Sequence, residues 1–325
     1  MKILPAMGAL ILILSLLLQN GQAQQPPETK WLAEAGVGVF THFLPGKENF
    51  SQVQKYDVQT VANQLEQIGA KYFVFTIYQN SGYFNAPNTY YDQVTGYAPG
   101  ERTASRDLPL ELAEALALKN IKLILYVTAQ TPNRDARAQQ AFGLEPAPRD
   151  LPIHMEFATK WAKVLEEWSL RYGEKVAGWW VDGSYAWVGF NEEIASQYST
   201  ALKRGNPHAI IAFNPGVKKP EWKTSDYTAG EINLPFEVDV TSQFKNGQQM
   251  QILTFLGDRW GADNCRFSDE QWIDWVTRVT SQKGAVTLDA APNLGHHPNS
   301  PIGTINDRQL QQLRAIYSSL RTKKE

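Results

Sequence analysis

The chemistry-bearing residues stand where apolar runs stop. The clearest case is Gly178-Trp179-Trp180-Val181-Asp182-Gly183, in which a carboxylate closes a stretch that reads as buried strand. Asp-Gly alone is a turn signal, and an aspartate there can cap a following helix, but the apolar and aromatic residues before Asp182 favour a functional position. Other such runs end on or beside His42, Tyr78-Gln79, Thr128, Asn214, Glu231, Asp258 and Asp289. Carboxylates of this kind, among 10 Trp and 13 Tyr, suit a carbohydrate ligand. Sugars offer apolar faces to aromatic rings and hydroxyl rims to Asp, Glu, Asn, Gln or His. Cleaving a glycosidic bond takes two carboxyl groups in different environments, one ionised and one protonated.

The elements that must carry these side chains alternate. β-rich runs at 37–42, 72–77, 122–127, 178–182, 209–214, 226–231, 251–256 and 285–289 are separated by segments of helical period. Run 226–231 is the weakest, having little apolar content. Val58, Val61, Ala62, Leu65 and Ile68 share one stripe; so do Phe157, Trp161, Val164, Leu165 and Trp168. Trp272, Trp275, Val276 and Val279 make a third, and Leu310, Leu313, Tyr317 and Leu320 a fourth, with Asp107 and Ser268 as N-caps. Eight strand-helix units predict a single-domain α/β fold, a closed (β/α)8 barrel, whose function collects at the strand C-terminal ends. The long connection 79–107 would supply a lid or a wall there, and a second long loop runs over 130–150.

Other chemistries lose support. There is no Gly-rich phosphate loop after the first strand, no Gly-x-Ser-x-Gly elbow and no His-Glu-x-x-His pair. His296-His297 are neighbours whose side chains are expected to diverge, so no metal and no organic cofactor is expected. Cys265 is the only cysteine, which rules out an intrachain disulfide and reads as a packed or semi-exposed thiol. With 31 basic and 33 acidic residues the net charge is −2, and nucleic acid is not an expected partner. Lys2, the apolar run Gly8 to Leu18 and small residues before a cut after Ala23 read as a signal peptide over 1–23. The expected organisation is a leader at 24–30, the barrel over 31–321 and a charged tail at 322–325, secreted or periplasmic and free of the membrane after cleavage.

From Trp31 to Leu320 the chain resembles the catalytic domain of the α-L-fucosidases of glycoside hydrolase family 29. Trp31 to Phe43 resembles the family's opening strand, Gly69-Ala70-Lys71-Tyr72 its second, and Lys122 to Tyr126 its third. Trp180-Val181-Asp182-Gly183 is similar to the family's Trp-Phe-Asp-Gly, whose aspartate is the nucleophile. Asp226 to Glu231, followed by Pro235, resembles the segment whose glutamate is the acid/base in many members, with Glu237, Asp239 and Asp258 as alternatives. Trp260-Gly261 and Gly284 to Pro292 resemble later family motifs. A single barrel without the family's C-terminal β-sandwich is expected. Where the family has His-His this chain has Tyr78-Gln79; after the fifth strand it has Asn214-Pro215-Gly216 without the arginine, and Asp289 replaces an asparagine.

The resemblance implies an exo-acting, retaining glycosidase on α-L-fucosides or a related α-linked sugar, with an oligosaccharide or glycoconjugate as substrate. Asp182 would be the nucleophile and Glu231 the acid/base; His42, Tyr78, Gln79, Tyr126, Trp180, Trp260 and Asp289 would bind substrate. The rewritten segments leave two other readings, a non-catalytic carbohydrate-binding barrel and an endo-acting hydrolase on a fucose-containing polysaccharide.

Overall fold

The structure is a computed structural model that describes residues 27–238 and 240–322. The expected signal peptide, residues 24–26 of the leader, Asp239 and tail residues 323–325 lie outside the described residues. Strands β1 (Val37–Thr41), β2 (Tyr72–Thr76), β3 (Lys122–Thr128), β4 (Gly178–Asp182) and β5 (Ile210–Phe213) are followed by a small antiparallel hairpin, β6 (Phe244–Lys245) and β7 (Gln248–Gln249). Then come β8 (Gln251–Phe255) and β9 (Ala285–Asp289). The seven long strands form one parallel sheet in the order β5-β4-β3-β2-β1-β9-β8.

Segment 226–231 fills the gap between β5 and β8. Asp226 N donates to Ile211 O at 2.7 Å on one side, while bridges join Tyr227 to Gln249 and Glu231 to Leu253 on the other. The expected sixth strand therefore holds its place in the barrel without becoming a regular strand. Two features break it. The Thr228 hydroxyl enters the ladder, donating to Gln251 O and accepting from Gln251 N. Gly230 adopts φ +64°, and a Cβ there would stand 2.0 Å from Gln251 O, so only glycine fits.

Strand alternation sorts the core into two layers. Phe40, Tyr72, Val74, Ile124, Tyr126, Trp180, Tyr227 and Leu253 pack inside the barrel, joined from below by Leu32 of α1 (Lys30–Ala35). A 3-10 turn at Pro27–Thr29 leads into α1, before the expected start of the barrel at Trp31. Val39, Phe73, Phe75, Leu125, Trp179 and Val181 point outward to the helices. Those helices are α2 (Gln52–Lys55), α3 (Val58–Ile68), α4 (Thr89–Thr95), α5 (Leu108–Ala117), α6 (Ala136–Ala141), α7 (Met155–Tyr172), α8 (Glu192–Leu202), α9 (Asp269–Ser281) and α10 (Asp307–Thr322).

The four apolar stripes face inward as their spacing requires, on α3, α7, α9 and α10, with Leu320 only partly covered. Asp107 caps α5 by accepting from Leu110 N, and Ser268 forms a capping box with Gln271 on α9. Each such cap is worth about 1 kcal/mol. Connections 79–107 and 130–150 each contain a short helix, α4 and α6. Tyr91 and Tyr97 of the first both donate to the buried Asp135 of the second, at 3.0 and 2.8 Å, which fastens them together as a wall. No helix among the described residues is long and apolar enough to cross a membrane.

Candidate active site

Asp182 ends β4 on the inner face, in phase with Gly178 and Trp180. Three neutral donors hold its carboxylate. Tyr126 of β3 donates to Oδ2 at 2.5 Å; Tyr185 and the Asn214 side chain donate to Oδ1 at 3.1 and 2.8 Å. Gly183, at φ +71°, turns the chain so that Tyr185 returns over Asp182. Burial, followed by the Asp182 charge, raises the Tyr126 hydroxyl well above its ordinary pKa; for Tyr185 the Asp182 charge leads and burial follows. Both hydroxyls therefore remain protonated donors across the working range of pH.

Asn214 links the two carboxylates. It is 0% exposed, and its Oδ1 accepts from Gly216 N at 3.0 Å, which points its Nδ2 into the barrel mouth. That nitrogen donates to Asp182 Oδ1 at 2.8 Å and to Glu231 Oε2 at 2.7 Å. Laid end to end these bonds put the two oxygens at most about 5.5 Å apart. Glu231 reaches this place because the Gly230 kink precedes it. Burial and then the nearby Asp182 charge push the Glu231 carboxyl up from 4.5 to about 7, against the opposing pull of the Asn214 hydrogen bond. Glu237 is exposed beside Lys218, at 3.4 Å, and Asp258 is exposed and bonded to Asn264; neither borders the cavity at Asp182.

Asp182 and Glu231 open on a cavity of about 310 Å³ whose wall includes Phe40, His42, Gln79, Tyr126, Trp180 and Trp260. Tyr126 and Trp180 stack at 5.3 Å, and Trp180 donates to Ala229 O, so both rings are fixed walls. Gln79 donates to the Tyr126 hydroxyl at 2.7 Å, leaving that hydroxyl's own proton for Asp182. His42 sits on Phe40 at 4.1 Å and edge-on to Trp260 at 5.5 Å. Its Nδ1 bonds Asp289 Oδ1 at 2.8 Å, which sets the ring's orientation and leaves Nε2 for a ligand.

Two of the expected substrate contacts are corrected. Tyr78 is 0% exposed and packs outside the barrel against Phe84, Trp161 and Trp168, its hydroxyl donating to Thr128 O at 2.6 Å. The alternation 72, 74, 76 would carry residue 78 inward, but β2 stops at Thr76 and the next residues turn, so Gln79 enters instead. Asp289 is 1% exposed, with Oδ1 on His42 and Oδ2 accepting from Gly261 N at 2.8 Å. It positions His42 and the Trp260-Gly261 loop and, buried beneath them, does not border the cavity.

Asn214 and Tyr185 were not among the expected site residues. Asn214 was recognisable only as a strand end, and Tyr185 carried no signal, since its role depends on the turn at Gly183. The expected divergence of His296 and His297 also fails. Asn293 Oδ1 accepts from Gly295 N and His297 N, curling the loop so that the rings lie 4.4 Å apart. With Asp263 their ligating atoms fall within 4.8 Å of one another, away from the Asp182 cavity.

The family model for α-L-fucosidase matches residues 47–325. No curated protein matches the sequence. Among solved structures, the chain is similar to the endo-fucoidan hydrolase MfFcnA4 of glycoside hydrolase family 107, with TM-score 0.72 and 16% identity over 93% of this chain. The similarity covers only 55% of that protein, so the chain spans little more than half its length. It is also similar to α-L-fucosidase isoenzyme 1 from Paenibacillus thiaminolyticus, with TM-score 0.64 and 18% identity, covering 91% of this chain and 75% of the other. A family 29 α-L-fucosidase from Bacteroides thetaiotaomicron, trapped as a covalent intermediate, gives TM-score 0.65 and 17% identity over 92% and 75%. At these identities the structures establish the barrel fold, while the family model covers most of the chain: it belongs to the α-L-fucosidase family of glycoside hydrolases.

Proposed function

We propose that the chain is an exported, exo-acting, retaining glycosidase that hydrolyses α-L-fucosides or a closely related α-linked sugar. One observation carries this reading: a single buried amide, Asn214, bonds both Asp182 and Glu231 and keeps their nearest oxygens within about 5.5 Å. Retaining glycosidases hold their two carboxyl groups roughly 5 to 5.5 Å apart, while inverting enzymes leave room for a water between them. The two groups also differ as the reaction requires. Glu231, pushed up to about 7, holds a proton near neutrality. Three neutral donors hold Asp182 and orient its carboxyl group for attack.

In the first step an Asp182 oxygen bonds to the anomeric carbon as the glycosidic C–O bond breaks, and the Glu231 proton passes to the departing oxygen. In the second, Glu231 takes a proton from water, the water oxygen bonds to the anomeric carbon, and the Asp182 carboxylate leaves. Asn214 touches both carboxylates throughout, so it can follow the charge as it moves from one to the other. The apolar wall of Tyr126, Trp180 and Trp260 suits a sugar face, and His42 Nε2 and Gln79 suit its hydroxyls. The matched acid and nucleophile argue against a purely binding barrel. Fucose as the sugar rests on family membership, and export on the apolar run Gly8 to Leu18.

The test is a panel of aryl α-L-fucosides, α-L-galactosides and related glycosides given to the wild type and to Asp182→Asn. The reading expects turnover of at least one α-L-glycoside by the wild type and its loss in the variant. Equal activity in the two proteins rejects Asp182; no turnover of any member by the wild type rejects the glycosidase.

A further inference from the structure

Asp182 borders a second cavity, of about 350 Å³, on the side away from Glu231. The two differ in chemistry. The Glu231 pocket contains no lysine or arginine, whereas the second cavity is walled by Asn80, Gln130, Asn133 and two arginines, Arg134 and Arg149. Both arginines are exposed, and neither guanidinium has a hydrogen-bond, ion-pair or aromatic partner among the described residues. The cavity's own carboxylates are otherwise engaged. Asp182 is held by its three donors, and Asp150 accepts from Trp187 Nε1 at 3.2 Å.

That bond also fixes an aromatic platform. Trp187 stacks on Tyr185 at 4.3 Å with the planes 12° apart, and it is 56% exposed, one of few large apolar side chains so open to solvent. Lys219 adds a third cation without a partner among the described residues: its stem and the Trp187 ring both adjoin Gly216. An exposed indole stacked on a ring that itself bonds Asp182 is placed for the sugar unit adjoining the one in the Glu231 pocket. The two guanidinium forks in the wall of the cavity that Tyr185 and Asp150, the partners of Trp187, also line match an anionic oxygen group.

Resting on the proposed glycosidase activity, we infer that this cleft binds a neighbouring sugar unit of the substrate that bears an anionic group, a sulfate ester or a uronate carboxylate. Trp187 stacks on the ring while Arg134 and Arg149 take the charge. The preferred substrate is then an acidic glycan, with the pocket and the cleft occupied by successive units.

The experiment measures binding by calorimetry to Asp182→Asn, which keeps the ligand intact, using α-L-fuco-oligosaccharides in neutral, sulfated and uronate-bearing forms. At least one acidic form should bind about tenfold or more tightly than the neutral one, and the advantage should shrink with added salt. Whichever acidic form gains identifies the anion. Adding Arg134→Gln and Arg149→Gln should abolish the preference, and Trp187→Ala should weaken all three ligands. Equal binding of neutral and acidic forms, or a preference that survives loss of both arginines, overturns the cleft. Wild-type turnover of the panel of aryl α-L-fucosides, α-L-galactosides and related glycosides is assayed in parallel. Turnover without anionic preference rejects the cleft alone; preference without turnover rejects the activity and keeps the cleft.

Discussion

Asp182 and Asp289 occupy equivalent places, each the last residue of an inner-layer strand at the barrel mouth, yet only one is open for chemistry. Asp182 is half-buried, borders two cavities and is held by neutral side-chain donors. Asp289 is closed off, with one oxygen on the His42 ring and the other on the Gly261 amide. A strand-end carboxylate becomes a reagent when its partners orient it and leave a path to a ligand. It becomes a brace when its partners cover it and close that path.

The largest break of this comparison is Asp182→Asn, which replaces the carboxylate by an amide whose single oxygen can still accept from Tyr185 and Asn214 but whose NH2 can neither attack nor accept from Tyr126. Steady-state kinetics should show kcat down by about 10⁴-fold or more. Glu231→Gln should cost about 10² to 10⁴-fold, and less on substrates whose leaving group needs no proton. The same group sets the pH profile. Since Glu231 must begin protonated, kcat/KM should fall as pH rises through about 7, and Glu231→Gln should lose that limb. Stability follows the same sign. A carboxyl raised from 4.5 to about 7 on folding contributes stability that is complete below 4.5 and is lost as pH rises through about 7. The fall in Tm between those values should therefore be shallower in Glu231→Gln.

Asp289→Asn should act on stability first. It weakens a buried, charge-assisted bond worth about 1.5 to 3 kcal/mol, lowering the urea midpoint, and it loosens His42 with a loss of about tenfold in kcat/KM, seen mainly in KM. A loss as large as that of Asp182→Asn would erase the distinction between reagent and brace. Tyr78→Phe should have the smallest effect. It removes a buried hydroxyl partner of Thr128 at a cost of about 1 to 3 kcal/mol in stability and leaves kcat within about twofold, since Tyr78 stands outside the barrel wall.

Much of this was readable in the sequence because barrels repeat simple periods. The apolar stripes of α3, α7, α9 and α10 and the caps Asp107 and Ser268 follow from local spacing, and the phase of Gly178, Trp180 and Asp182 puts the aspartate inside. The failures occur where period ends. β2 stops at Thr76, so alternation misplaces Tyr78; the Thr228 hydroxyl and Gly230 replace a regular sixth strand while aiming Glu231 correctly. Asn214 and Asp289 show a deeper limit. Whether a polar strand-end residue bridges, braces or reacts depends on which atoms from three or four distant strands meet it.

The central claim is that Asp182 and Glu231 act as nucleophile and acid/base at the spacing Asn214 imposes. Proton NMR of the first-formed reducing sugar during hydrolysis tests it most directly. The account predicts that the product emerges with the anomeric configuration of the substrate and only later mutarotates. First release of the opposite anomer would mean single displacement by water, and would contradict it.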